Sequence, residues 1–207
     1  MILEAVGLLS LGFLVGLSGA AIPGPLLAFT VYDSTKKGKI TGHLVIFGHV
    51  AWEFIVILII LFGFGWIILR GQVLIYSLGG PVLILMGLGM LRSRLSKVEL
   101  TRSRTDSSIL GGIFYTAFNP TQPLWWATAG LALLLKGLEI MGLLGVVFVT
   151  VGHWLSDLAY YIFISAMVHR HRGFILPHQQ TISRLLGVFL TALGIYFLTD
   201  ALARVLV

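Results

Sequence analysis

Long apolar runs separated by short polar stretches set the pattern of this chain. They fall at about 5–31, 42–69, 73–91, 109–135, 140–168 and 185–207. A bilayer core about 30 Å thick needs roughly 20 apolar residues per helix, so the pattern predicts six transmembrane helices. Two of the runs contain residues that a membrane helix tolerates poorly. Ile22-Pro23-Gly24-Pro25 interrupts the first, and Asn119-Pro120-Thr121-Gln122-Pro123 interrupts the fourth. Proline removes a backbone donor and glycine loosens the helix. In hydrocarbon such a break survives only where protein buries it or a polar cavity receives it. Matched interruptions in two halves of a chain point to a transporter's substrate site.

Composition narrows this reading. The 207 residues are 57% hydrophobic and only 11% charged, against about 25% charged in soluble domains. Six helices use up the length, so a single transmembrane domain, 1–207, is expected: repeat one at 1–91, a cytoplasmic linker at 92–108, repeat two at 109–207. With no cysteine, disulfides, thiolate metal sites and dithiol relays are excluded. Glu4 and the lack of Lys or Arg before the first run argue against a cleaved signal peptide, so that helix is expected to be kept.

The net charge of +6 raises the question of nucleic acid, and the placement of the cations answers it. Eleven of the fourteen basic residues (Lys36, Lys37, Lys39, Arg92, Arg94, Lys97, Arg102, Arg104, Arg170, Arg172 and Arg184) flank the first, third and fifth polar stretches. By the positive-inside rule those stretches are cytoplasmic and both termini lie outside. The basic clusters are topology signals rather than a nucleic-acid surface.

The halves echo each other three times in the same order. The two proline breaks correspond. Gly48-His49-Val50-Ala51-Trp52-Glu53 corresponds to Gly152-His153-Trp154-Leu155-Ser156-Asp157, and Gly80…Gly87 to Gly187…Gly194. Three helices per repeat is an odd number, so the second repeat enters the membrane from the opposite side. Inverted repeats of this kind let one half rock against the other around a central site.

The candidate chemistry lies at these places. Glu53 and Asp157 are read as the only acids deep within apolar runs, where an ionised carboxylate costs several kcal/mol and needs a partner, water or a proton. His49 and His153 precede them by four residues and share their helix faces. Each imidazole could hold and satisfy its acid or relay its proton. Two histidines and two carboxylates meeting at the midplane would also suit a divalent metal. At the breaks, Pro23, Gly24, Pro25, Asn119, Pro120, Gln122 and Pro123 offer freed carbonyls, helix N-termini and side-chain amides, a set that suits a zwitterion. Gly12, Gly16, Ala20 and Gly24 form a small-residue stripe best read as helix packing. Trp66, Trp125 and Trp126 fit an interfacial belt, and Trp125 and Trp126 fit a cavity wall equally well.

Gly16 to Pro25, the Asn119-Pro120 motif, the motif around Gly152 with its acid, and the Gly80/Gly87 pair resemble the lysine exporter (LysE/RhtB) family of amino-acid efflux proteins. The resemblance covers nearly the whole chain, including its length and helix count. It implies export of an amino acid or similar small metabolite from a prokaryotic cell across its plasma membrane, coupled to an ion gradient. Asp157 takes the place of the acid the family commonly carries in its fifth helix, while His49 and His153 stand outside the family pattern.

Secondary active export is therefore the leading function, probed against divalent-metal export on the same scaffold. The implied partners are an amino acid, a coupling ion (a proton above all) and the lipid bilayer, and a homodimer is compatible with the architecture. No cofactor is called for. An enzyme is disfavoured: His153 and Asp157 are separated by three residues where the acyltransferase signature has four, and neither a His-Glu-x-x-His nor a phosphate-binding loop occurs.

Overall fold

The structure is a computed structural model that describes residues 1–22, 24–64, 71–92 and 106–206. All its regular elements there are helices: α1 (Ile2–Ala20), α2 (Pro25–Lys37), α3 (Ile40–Ile59), α4 (Gln72–Arg92), α5 (Asp106–Ala117), α6 (Thr121–Met141), α7 (Leu143–Arg170) and α8 (Arg172–Leu206). Among the described residues five helices are long and apolar enough to cross a membrane: Ile2–Ala20, Ile40–Gly63, Thr121–Met141, Leu143–Arg170 and Gly187–Val205. Val73–Gly89 and Ser108–Ala117 are shorter apolar helices. Phe47, Phe62, Leu85 and Leu143 stand exposed around the bundle. A monomer in water rarely presents so much apolar surface, whereas lipid accepts it. The protein is a multi-pass, membrane-embedded all-α chain.

Both proline motifs break their helices. α1 ends at Ala20, Gly24 is extended, and Pro25 opens α2 at its first position, where the missing N–H costs nothing. In the second half α5 stops at Ala117 and Pro120 caps α6. α2 has 13 residues and α5 has 12, so each break lies the same distance from the end of the bundle that carries Lys37 and Asp106. Pro23 lies outside the described residues, as do Trp66, Arg70 and most of the linker at 92–108.

Four local expectations are corrected. Asp33, Lys36 and Lys37 belong to α2 rather than to a loop, because Lys37 finds Asp33 one turn away. The turn expected at 136–139 is helical. Lys136 and Glu139 pair at 2.9 Å on the surface of α6, and the chain turns instead at Gly142, whose φ of 60° favours glycine. The basic stretch 169–184 is helical apart from one residue, His171, and α8 carries Pro177 inside it. Finally, the second run does not continue as one regular helix. α3 passes into a π-helical turn at Ile60–Phe64, in which Gly63 has φ 85°.

Helix packing crosses between the halves. α1 lies on α7, α5 on α3, and α4 on α8. Glycines sit at each crossing. A methyl group on Gly12 would overlap the carbonyl of Val149, and one on Gly152 would overlap that of Leu9. Gly48 meets the Ile109 carbonyl, and Gly112 that of Val45. Gly80 packs on Gly194 and Gly87 on Gly187, so the two glycine pairs with matching spacing face each other directly. These backbone approaches are what small residues permit in a membrane, where close packing rather than the hydrophobic effect holds helices together. Apolar clusters flank the centre. One is built on Leu8, Val56, Trp126 and Val149, and the other on Leu26, Val45, Ile46 and Tyr161.

Candidate functional site

Between those clusters α3 and α7 each turn a histidine and an acid inward. Spacing of four residues stacks His49 over Glu53 and His153 over Asp157 on single helix faces. The four side chains form an alternating ring. His49 Nε2 lies 3.3 Å from Glu53 Oε1 and 3.4 Å from Asp157 Oδ2. His153 Nε2 lies 3.2 Å from Glu53 Oε2 and 3.2 Å from Asp157 Oδ2. All four residues are buried, the two acids only 2% exposed.

Glu53 is the anchor of this ring. Its Oε1 accepts from Trp126 Nε1 at 2.7 Å and its Oε2 from Trp154 Nε1 at 3.2 Å. Gln122 Nε2 approaches Oε1 at 3.5 Å. Indole N–H groups only donate, so they fix an oxygen that presents lone pairs. Trp126 reaches this place from a π-helical turn, Trp126–Gly130, a distortion frequent at functional sites. Trp125 stacks on His153 with ring centroids 4.8 Å apart, and Trp126 meets the same ring edge-on at 4.8 Å. His49 is held differently: its Nδ1 lies 3.0 Å from Thr116 Oγ1, whose own proton goes to the Gly112 carbonyl at 2.6 Å.

The ring forms the wall of a cavity of about 540 Å³, its open mouth included. Both breaks contribute to the lining. Ala20, Ile22, Gly24, Leu26 and Leu27 come from the first half, and Asn119, Thr121 and Gln122 from the second. Four buried polar atoms on this wall have no hydrogen-bond partner among the described residues: His49 Nε2, His153 Nδ1, Asp157 Oδ2 and Gln122 Oε1. Buried polar atoms are nearly always satisfied, and two of these, His49 Nε2 and Asp157 Oδ2, face each other at 3.4 Å, which marks a place built to receive something.

Of the residues expected from sequence, His49, Glu53, His153, Asp157, Gly24, Asn119 and Gln122 meet at this cavity. Asn119 also serves its own backbone, accepting from Thr121 N at 3.2 Å and Thr121 Oγ1 at 2.8 Å. Pro25, Pro120 and Pro123 shape the breaks without lining the cavity; Pro120 packs against Gly79. Of the tryptophans left between belt and wall, Trp126 is fully buried and Trp125 lines the cavity. Sequence reading missed Trp154, Thr116 and Tyr161. Trp154 directly follows His153 and was the one legible signal among them.

A family model of the LysE type translocator matches residues 17–201, which include both breaks and the whole ring. The chain belongs to that family. Membership implies efflux of amino acids or similar small metabolites, and the LysE type translocator is a transporter family rather than an enzyme family. No curated protein and no solved structure gives a significant match.

Proposed function

We infer that this LysE type translocator is a secondary active exporter of an amino acid or related small metabolite, driven by an ion gradient, with one of the buried acids carrying the coupled proton, in a prokaryotic plasma membrane. Its transport unit is the single domain 1–207, with six membrane segments in two inverted three-helix repeats joined by a cytoplasmic linker, and both termini outside. The observation that carries this reading is a cavity lined by both helix breaks and floored by acids contributed from both halves.

An amino acid suits this wall at both ends. Its ammonium faces Glu53, Asp157 and the unpartnered Gln122 Oε1. Its carboxylate faces the N-terminus of α2, where the first intrahelical bond is accepted by Gly24 from Ala28. The amides of Leu26 and Leu27 precede that bond, and helix N-termini favour anions. Supporting the repeat reading, exchange of one half for the other maps the α1–α7 contact onto the α5–α3 contact and returns α4–α8 to itself. Rocking of one half against the other would then open the cavity to each side in turn.

The test is counterflow of labelled amino acids in proteoliposomes loaded with a pH dye. Saturable flux of at least one amino acid with a matching pH change is expected. Silence across basic, acidic, small neutral and branched substrates would overturn the reading.

A further inference from the structure

We propose that His49, Glu53, His153 and Asp157 constitute a binding site for one divalent ion of the zinc type. This goes beyond the transport reading, since it concerns what the ring itself holds whichever metabolite is carried.

The hydrogen bonds around His49 fix its electronic state. Thr116 Oγ1 spends its only proton on the Gly112 carbonyl, so toward His49 it acts as acceptor and Nδ1 carries a hydrogen. In neutral imidazole that leaves Nε2 as a bare lone pair. The lone pair faces two carboxylate oxygens, Glu53 Oε1 and Asp157 Oδ2, at 3.3 and 3.4 Å. A proton placed on Nε2 gains no acceptor in hydrogen-bonding geometry, because that nitrogen and Asp157 Oδ2 both stand without a partner. Three lone-pair atoms gathered this closely are ligands lacking their cation.

Charge and distance agree with that assignment. Two ionised carboxylates with two neutral imidazoles leave a buried net charge of −2, which one divalent ion cancels. Metal–ligand bonds of about 2.0–2.2 Å in a tetrahedral site separate neighbouring donor atoms by about 3.3–3.6 Å. Taken to one oxygen of each acid, Glu53 Oε1 and Asp157 Oδ2, the distances are 3.3 and 3.4 Å from His49 Nε2 and 3.5 and 3.2 Å from His153 Nε2. The ligand atoms all lie within 4.8 Å of one another. Two nitrogens and two oxygens form a donor set for Zn²⁺ and its first-row neighbours rather than for Mg²⁺ or Ca²⁺.

Two of the four ligands, His49 and Glu53, have the outer partners that metal ligands use. Thr116 sets the tautomer of His49, while Trp126 and Trp154 hold both oxygens of Glu53. Gly16 makes room for His153, since a methyl group there would stand 2.6 Å from its Nδ1.

Purified protein, stripped with chelator, is titrated with Zn²⁺ by calorimetry and with Co²⁺ by visible absorption. One saturable equivalent is expected, with Co²⁺ bands of a low-coordinate site bearing nitrogen and oxygen ligands. His153→Ala and Asp157→Asn should each weaken binding by more than 100-fold. Thr116→Val, close in shape, should weaken it by about 10–100-fold. A control lacking the exposed imidazoles of His171 and His178 should bind as wild type does. The Co²⁺ spectrum is read on wild type, so the test survives a variant that fails to fold. Absence of the Co²⁺ bands, or binding kept in both ring variants, would overturn the proposal. Amino-acid flux measured on the same preparation separates the two readings: binding without flux strikes the exporter alone, and flux without binding strikes the metal site alone.

Discussion

Two buried polar clusters tie the halves of this protein together, and they differ in how completely they are satisfied. Near the end of α2, Asp33 Oδ2 takes Lys37 Nζ at 3.1 Å and the Ser108 hydroxyl at 2.7 Å, with the ammonium also 2.5 Å from that hydroxyl. One negative charge meets one positive charge, and α2 is fastened to α5. In the centre, four titratable groups meet with orphaned atoms on three of them. A satisfied cluster is a tie, because each group already has what burial demands. An unsatisfied one holds its groups against their preference, which structures retain where a ligand completes the set.

That contrast predicts opposite responses to substitution. The largest expected effect is on transport: Glu53→Gln removes the anion on which two indoles and two imidazoles converge. Flux should fall by about 100-fold or more, the scale of losing one preorganised electrostatic group, as initial rates in proteoliposomes would register. Next comes stability at the tie. Asp33→Ala leaves a buried ammonium without its carboxylate and should cost about 3 kcal/mol, read as a lowered unfolding midpoint in detergent, with Asp33→Ala/Lys37→Met recovering most of the loss. If the double variant is as weak as the single one, Asp33 does more than balance Lys37.

A smaller effect tests whether the two crossed helix pairs are equivalent. Gly48→Ala and Gly152→Ala each push a methyl group into a facing carbonyl and should destabilise by similar amounts, about 1–3 kcal/mol. A large penalty at one and none at the other would break that equivalence. Smallest is Lys136→Ala. Its pair with Glu139 is half exposed or more, and loss should stay within about 0.5 kcal/mol on the same unfolding curve.

Much of the site was legible in the chain, for reasons that particular residues make clear. Proline and glycine act on the backbone locally, so the breaks at 22–25 and 119–123 could be read without tertiary information. Glu53 and Asp157 stood out because acids are costly in apolar runs, and the histidines because four residues make one helical turn. The glycines at 80, 87, 187 and 194 were read as matching in spacing, and they meet face to face. What escaped depends on long-range contact. Trp126 and Trp154 reach Glu53 across 73 and 101 residues, and tryptophan in a membrane segment reads equally well as a belt. Asp33 and Lys37 read locally as the start of a polar loop, because the buried hydroxyl that fastens Asp33 belongs to Ser108, 75 residues away.

The most direct test of the contrast is Asp157→Asn, with flux and unfolding midpoint measured on one preparation. Replacing a buried carboxylate whose Oδ2 has no hydrogen-bond partner by a neutral amide of the same shape is expected to abolish flux while leaving the midpoint unchanged or raised. Wild-type flux, or a midpoint lowered as far as in Asp33→Ala, would show the central ring to be a structural tie like the other and would contradict the account.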